Sequence, residues 1–190
     1  DGNDQIKGVS GKNELDGGDG NDDIIGGKKA DKIKGGDGDD NIFGGNGYDV
    51  LDGGSGDDRM HGGNGNDKMV GNLGNDIMNG NFGNDRMFGS SGTDRLYGNS
   101  ESGRFDPGDG DDLMDGGDGD DLLYGGSGDD YLKDLKGNNT VGGDAGDDKL
   151  VTGDGNDRLL GGEGDDVIIT GDGHDGTIYA GRGNDTVDGK

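Results

Sequence analysis

Large apolar residues recur at every ninth position along this chain, and polar or small residues flank most of them. One step near the end of the column is ten residues instead of nine. In an extended segment, successive side chains point to opposite faces, so an isolated apolar centre can be buried while its neighbours remain outside. The pattern therefore predicts very short strands, each of which gives one side chain to a core. The apolar column consists of Ile6, Leu15, Ile24, Ile33, Ile42, Leu51, Met60, Met69, Met78, Met87, Leu96, Phe105, Met114, Leu123, Leu132, Val141, Leu150, Leu159, Ile168, Ile178 and Val187.

The six residues between successive strands are rich in glycine and end on aspartate. The full unit reads G-G-x-G-x-D-x-U-x, where U is the apolar residue, and such a period indicates a solenoid. Asn13, Gly103 and Asn139 stand at the sixth position in three units. Residues 98–107 keep the spacing and are predicted to be a degenerate turn, while the extra residue near Gly176 predicts a bulge. In all other units the sixth position is Asp: Asp4, Asp22, Asp31, Asp40, Asp49, Asp58, Asp67, Asp76, Asp85, Asp94, Asp112, Asp121, Asp130, Asp148, Asp157, Asp166, Asp175 and Asp185.

Strands of three residues are too short to be stable alone, so the units must stack. Two units would complete one coil, and alternate units would then form two parallel sheets whose apolar side chains meet in a thin core. The predicted fold class is all-β, a right-handed parallel β-roll solenoid of about ten coils. We expect residues 1–190 to form a single repeat domain and to be a fragment of a larger protein.

Composition narrows the possible functions. A formal net charge of -26 provides no basic surface for nucleic acid and disfavours anionic membranes, and no apolar run is long enough to insert into a bilayer. High charge with few apolar residues is typical of disorder unless the charge is neutralised. All but three of the 43 acidic residues are Asp, and 51 residues are Gly. Short carboxylates in glycine-rich turns suit a hard cation with oxygen ligands.

In the predicted stack, the sixth-position carboxylates of successive coils lie roughly 5 Å apart. Two unit charges at that separation repel by ~3 kcal/mol at an effective dielectric constant of about 20. A divalent cation between each pair would convert this repulsion into bridging, and backbone carbonyls of the turns would complete its shell. The oxygen-only set favours Ca²⁺ over Mg²⁺, which demands tighter octahedral geometry. Soft metals lack ligands, since the chain has no Cys and two His.

Runs such as 17–22, 53–58 and 125–130 match the repeat at every defined position. On these motifs the chain resembles the hemolysin-type repeat region of RTX proteins, whose parallel β-roll binds multiple Ca²⁺ ions. The resemblance implies ligation by the sixth-position Asp of two successive coils and by carbonyls of the first four turn positions. It also implies type I secretion machinery as a partner and an extracellular or cell-surface location. The implied carbonyl ligands are Gly18, Gly20, Gly36, Gly38, Gly45, Gly47, Gly54, Gly56, Gly63, Gly65, Gly117, Gly119, Gly126, Gly128, Gly162 and Gly164.

Alternate units belong to opposite edges of the roll, which sorts the exceptions. Counting in steps of nine puts Asn13, Gly103 and Asn139 on one edge, with Asp31, Asp49, Asp67, Asp85, Asp121, Asp157 and Asp175. The other edge would be unbroken: Asp4, Asp22, Asp40, Asp58, Asp76, Asp94, Asp112, Asp130, Asp148, Asp166 and Asp185. We therefore predict near-continuous ions on the second edge and gaps on the first.

Two other functions remain open. Lys68, Arg86 and Arg104 would form an outward basic row in three consecutive coils, which could bind an acidic polysaccharide, although a solvated row that offsets the acidic turns is the simpler interpretation. The nonapeptide modules of alginate-modifying epimerases are a similar case. The chain could alternatively be an extender or ligand-binding segment of a large adhesin. No arrangement of residues indicates a catalytic site, so we predict that the chain is not an enzyme.

Overall fold

The computed structural model describes residues 2–99 and 110–189, and these form two parallel sheets of ten strands each. The strands alternate between the sheets along the chain, so each pair of consecutive strands makes one coil. Sheet A contains β1 (Gln5–Lys7), β3 (Asp23–Gly27), β5 (Asn41–Asn46), β7 (Arg59–Asn64), β9 (Ile77–Phe82), β11 (Arg95–Tyr97), β13 (Leu122–Ser127), β15 (Thr140–Ala145), β17 (Arg158–Glu163) and β19 (Thr177–Arg182). Sheet B contains β2 (Glu14–Asp19), β4 (Lys32–Asp37), β6 (Val50–Ser55), β8 (Lys68–Leu73), β10 (Arg86–Ser91), β12 (Leu113–Asp118), β14 (Tyr131–Lys136), β16 (Lys149–Asp154), β18 (Val167–Ile169) and β20 (Thr186–Asp188). This is the predicted all-β parallel roll.

The core is the apolar column predicted from the nine-residue period. Sixteen of its members, from Ile24 to Ile168, are completely buried and pack in one cluster. In the last coil Ile178 and Val187 are 38% and 48% exposed, since no further described coil stacks on them. Full burial of a large aliphatic side chain contributes about 1.5–3 kcal/mol. The core is thus one side chain deep on each sheet, and its stability depends on stacking.

Most strands are longer than the three residues predicted. The typical strand has six residues, because pairing between coils continues through the Gly-Gly-x segment that follows the apolar centre. Two glycines make this possible for different reasons. A Cβ built on Gly44 would lie 2.6 Å from both Asp49 Oδ2 and Gly62 O, and Gly45 has a φ of +110°. The first turn position therefore requires space, and the second requires a backbone conformation that most side chains disfavour.

The register between neighbouring strands is 18 residues over most of the roll but 27 residues at one place. β10 pairs directly with β12, with Met87 opposite Met114, and β11 pairs with β13, with Leu96 opposite Leu123. The predicted register, in which β10 would pair with a strand centred on Phe105, is therefore wrong. Phe105 and Gly103 themselves lie outside the described residues.

The position of the extra residue near Gly176 was predicted correctly. Asp175 keeps the 18-residue spacing from Asp157, whereas Thr177 pairs with Arg158 across 19 residues. The additional residue therefore lies at Gly176, between the end of the turn and β19. Only the strands after this point carry the 19-residue register.

One outward row of sheet A concentrates apolar and aromatic side chains. The residue after the apolar centre is Ile25, Phe43, His61, Asn79, Tyr97, Tyr124, Gly142, Leu160 and Tyr179 in successive coils. The Phe43 and His61 rings stack with centroids 4.9 Å apart, and the Tyr97 and Tyr124 rings with centroids 6.2 Å apart. Counting in steps of nine through residues 98–107 would have put Tyr97 and Tyr124 on opposite sheets, so the sequence did not predict this row.

Candidate metal sites

The sixth-position residues form two continuous ladders, one along each edge of the roll. In each ladder the backbone N–H of one residue donates to the side-chain Oδ1 of its counterpart in the next coil; the bonds from Asp22 to Asp40 and from Asp31 to Asp49 are both 2.7 Å long. Ladder 1 is Asp4, Asp22, Asp40, Asp58, Asp76, Asp94, Asp121, Asn139, Asp157 and Asp175. Ladder 2 is Asn13, Asp31, Asp49, Asp67, Asp85, Asp112, Asp130, Asp148, Asp166 and Asp185. Every predicted aspartate therefore belongs to a ladder.

The predicted distribution of the aspartates between the edges is wrong beyond residue 98. The N–H of Asp94 donates to Asp121 Oδ1, and that of Asp85 donates to Asp112 Oδ1, each at 2.7 Å across 27 residues. The two columns thus exchange edges at this point. Asn13 begins ladder 2 and Asn139 interrupts ladder 1, so neither edge carries both exceptions.

The second carboxylate oxygen is buried between coils in the aspartates of the interior rungs. Asp22, Asp40, Asp49 and Asp76 are at most 1% exposed. This oxygen is buried without a hydrogen-bond partner, within the described residues, in Asp22, Asp31, Asp40, Asp49, Asp58, Asp67, Asp76, Asp94, Asp121, Asp148 and Asp166. An unpaired buried carboxylate oxygen is costly, and its regular recurrence identifies it as part of a site.

Backbone carbonyls converge on the same point as these oxygens. The space above Gly44 is bounded by Asp49 Oδ2 and Gly62 O, and that above Gly26 by Asp31 Oδ2 and Gly44 O at 2.7 and 2.6 Å from a built Cβ. Each pair combines a carboxylate of one coil with a carbonyl of the next. Two acceptors facing the same space without a donor require a cation between them or a proton on the carboxylate.

Burial of the ladders strongly disfavours their ionised form when no cation is present. Desolvation raises the pKa of Asp58, Asp94 and Asp148 to about 7, with repulsion from neighbouring aspartates adding to the effect. It raises the pKa of Asp67 and Asp76 to about 6. The N–H bonds from neighbouring coils oppose the shift but do not cancel it. A bound divalent cation would restore the charged form, since opposite charge at contact distance lowers a carboxyl pKa.

The donor set fits Ca²⁺. The ligands available are hard oxygens from carboxylates and backbone carbonyls, the kind that Ca²⁺ takes in sets of six to eight at 2.3–2.6 Å. All the glycines predicted as carbonyl ligands occupy second or fourth turn positions, and all have positive φ. Among the described residues, no group of three or more His, Cys, Asp or Glu side chains forms a metal cluster by itself. Backbone carbonyls must therefore complete any site on the ladders.

The predicted basic row is interrupted. Lys68 lies beside Arg86 on sheet B, but the next residue in the row is Leu113 because of the 27-residue register. Arg104 lies outside the described residues. The structure thus provides two adjacent cationic side chains at this position instead of three.

Sequence reasoning missed a third set of ladder contacts. The fifth turn position, mostly Asn or Asp, forms an exposed ladder in which the N–H of one coil donates to Oδ1 of the preceding coil, as from Asp57 to Asp39 at 2.9 Å and from Asp147 to Asp129 at 2.9 Å. These bonds run in the opposite direction to those of ladders 1 and 2. The enrichment of Asn and Asp at this position was a readable signal, because both residues offer a short side-chain acceptor.

The fold and these sites define a class: a parallel β-solenoid whose glycine-aspartate turns present oxygen ligands between coils. A family model described as the RTX calcium-binding nonapeptide repeat matches residues 1–33, 16–51, 34–69, 70–103, 108–132, 142–176 and 177–190. The chain belongs to this family of calcium-binding repeats, which is a structural module and not an enzyme family. No curated protein matches the chain.

Within residues 2–99 and 110–189, no helix is long and apolar enough to span a lipid bilayer.

Proposed function

We propose that this chain is a calcium-driven folding module of a secreted protein, unfolded before export and folded outside the cell. The supporting observation is that buried carboxylate oxygens such as Asp49 Oδ2 and Asp76 Oδ2 face a backbone carbonyl oxygen and have no hydrogen-bond partner among the described residues. Without a cation these groups oppose stacking. With calcium they connect each coil to the next.

The size of the calcium contribution makes folding conditional on the compartment. If a site has a Kd of ~10⁻⁴ M, in the range of extracellular modules, ~1 mM Ca²⁺ stabilises it by about 1.4 kcal/mol. Ten such sites would contribute about 14 kcal/mol, as much as the total stability of many domains. At submicromolar Ca²⁺ the contribution vanishes. Folding would therefore begin where calcium is plentiful.

Coupling of this kind suits type I secretion, which the family membership suggests for the parent protein. A chain that stays unfolded in the calcium-poor cytosol can pass through a narrow export channel, and calcium outside would then favour the folded roll. The same binding energy would stabilise the secreted protein after export. The module thus serves secretion, folding and stability together.

The test is a measurement of size and secondary structure at controlled free Ca²⁺. In EGTA we expect the radius of gyration of an unfolded chain, about 47 Å for this length, and in millimolar Ca²⁺ a much smaller radius with β-sheet circular dichroism. The same concentration of Mg²⁺ is the control and should fold the chain far less. A compact β structure that is unchanged by EGTA would overturn the proposal.

A further inference from the structure

Ladder 1 loses a carboxylate at Asn139. Asn139 retains the connection between coils, because its side-chain Oδ1 accepts the backbone N–H of Asp121 at 3.0 Å and its backbone N–H donates to Asp157 Oδ1 at 2.8 Å. Its Nδ2, however, is a donor, and it bonds Lys136 O within the same turn at 3.3 Å. This rung therefore lacks the second carboxylate oxygen that other rungs aim into the space between coils.

The same turn contains an aspartate where the repeat has its first glycine. Asp134 is 0% exposed, and its Oδ2 has no hydrogen-bond partner within the described residues. The oxygen points into the space above Gly116 of the preceding coil, where a built Cβ would overlap it and would lie 2.5 Å from Asp121 Oδ2. Two buried carboxylates from successive coils thus converge on one point.

Comparison with the regular turns shows what Asp134 replaces. Above Gly44 and Gly53 the corresponding position is occupied by the backbone carbonyl of the next coil, Gly62 O at 2.6 Å and Gly71 O at 2.9 Å from the built Cβ. Above Gly116 a carboxylate oxygen occupies it instead. The turn that has lost its sixth-position carboxylate therefore presents another carboxylate from its first position.

We propose that Asp134 and Asp121 are the carboxylate ligands of a calcium site at the Asn139 rung, so that ladder 1 continues through its one exception. This proposal rests on the calcium binding proposed above and concerns which residues supply it. The stretch 133–141 is not covered by the matches to the family model, in agreement with a site built differently from the repeat.

Neighbouring cations do not neutralise this pair. Lys133 Nζ lies 2.7 Å from Asp115 Oδ2, and Lys136 pairs with Asp118. Asp134 Oδ1 accepts the backbone N–H of Lys136 at 3.4 Å, which leaves Oδ2 directed at the space shared with Asp121. A divalent cation would satisfy both carboxylates at once, as two-carboxylate oxygen sites do for Ca²⁺.

The test compares the number of calcium ions bound by the full chain, counted by native mass spectrometry and by isothermal titration. Asp134→Gly restores the glycine of the repeat and removes the carboxylate, so it should bind one ion fewer than the unchanged chain. Asp134→Gly combined with Asn139→Asp moves the carboxylate to its usual position and should recover that ion. Asp154→Gly, at an exposed turn position one coil away, is the matched control and should retain the full number.

The outcomes separate this proposal from the proposed function. If the unchanged chain binds calcium and Asp134→Gly binds the same number of ions, the assignment of Asp134 is overturned and the function stands. If the unchanged chain binds none, the function itself fails. Should Asp134→Gly not fold, Asp134→Asn keeps the side-chain volume and should still lack one ion; the full complement of ions in that variant would show that the two carboxylates merely share a proton.

Discussion

Replacing Asp76 by Asn in the middle of ladder 1 should have opposite effects on stability with and without calcium. Asp76 is 0% exposed, and its Oδ1 accepts the N–H of Asp58 at 2.9 Å. Its own N–H donates to Asp94 Oδ1 at 2.8 Å. Asn can keep both of these bonds. What it removes is the negative charge and the buried Oδ2.

With calcium present the substitution should destabilise the roll. Asp76 lies between two rungs, so two sites would lose a carboxylate ligand, each contributing about 2.3 kcal/mol in 5 mM Ca²⁺ if its Kd is ~10⁻⁴ M. The two losses together exceed by about 2 kcal/mol the roughly 3 kcal/mol that Asn gains in the calcium-free fold, which corresponds to a fall in Tm of roughly 3–7 °C for a chain of this length. The calcium concentration at half-folding should rise in parallel.

Without calcium the same substitution should stabilise. Burial raises the pKa of Asp76 to about 6, against about 3.9 in an unfolded chain. At pH 8 the ionised carboxyl therefore destabilises the calcium-free fold by roughly 3 kcal/mol, which Asn relieves. The residual β-sheet signal in EGTA should be at least that of the unchanged chain.

The residual β-sheet circular dichroism in EGTA and the thermal unfolding midpoint in 5 mM Ca²⁺ give the two comparisons. Asp37→Asn is the matched control, because it makes the same charge change at an exposed turn position and should leave both values nearly unchanged. If Asp76→Asn lowers both the residual signal in EGTA and the Tm in Ca²⁺, the carboxylate acts only through packing and the reasoning about a bound cation is refuted.

Three further predictions test other parts of the account. Gly44→Ala should weaken calcium-dependent folding because its Cβ would lie 2.6 Å from Asp49 Oδ2 and Gly62 O. Gly176→Ala, whose nearest neighbour is Asp157 O at 3.9 Å, should be tolerated in the same titration, and equal effects would contradict the claim that the first turn position has no space for a side chain. In EGTA, acidification from about pH 8 to 4 should increase β structure. Burial raises the pKa of Asp58 and Asp148 to about 7, so these groups give stability that is present below pH 4 and lost as the pH rises through 7. A loss of structure on acidification would argue against buried ladder carboxyls. Met69→Ala should lower the free energy of unfolding, measured in urea with calcium, by about 2–5 kcal/mol, and Leu73→Ala, where the side chain is 59% exposed, should lower it far less. Equal losses would show that Met69 is not part of the core.

The sequence predicted the features that the nine-residue period determines. The sixteen buried residues of the apolar column, such as Leu51 and Leu123, face inward because the strand repeat of two leaves no alternative for an isolated apolar centre. The aspartates form ladders because stacking places equal positions of successive coils together. Strand length was underestimated, since the pairing of Gly-Gly-x is a property of stacked backbones and leaves little trace in side-chain pattern.

The register change was not predicted, although its physical reason is visible afterwards. Counting in nines through Phe105 preserved the apolar column but placed Gly103 in a ladder and Glu101 at a glycine position of the turn. Direct pairing of β10 with β12 connects Asp85 to Asp112 instead. Continuity of the carboxylate ladders was thus a better guide to the register than continuity of the apolar column.

The sequence did not predict a role for Asp134. Asp replaces Gly at the first position of this turn, and Asn139 replaces Asp at its sixth position, and the repeat alone does not connect the two changes. Only the fold shows that Asp134 reaches the space where the ladder loses a carboxylate.

Whether the two ladders bind Ca²⁺ between coils can be seen in a crystal structure of the chain saturated with Ca²⁺, with ions located by anomalous scattering. We expect an ion between successive residues along both ladders, including between Asp94 and Asp121 and between Asp85 and Asp112, where the register is 27 residues. Ladders that form without ions, with carboxylates bonded only to protons or water, would contradict this expectation.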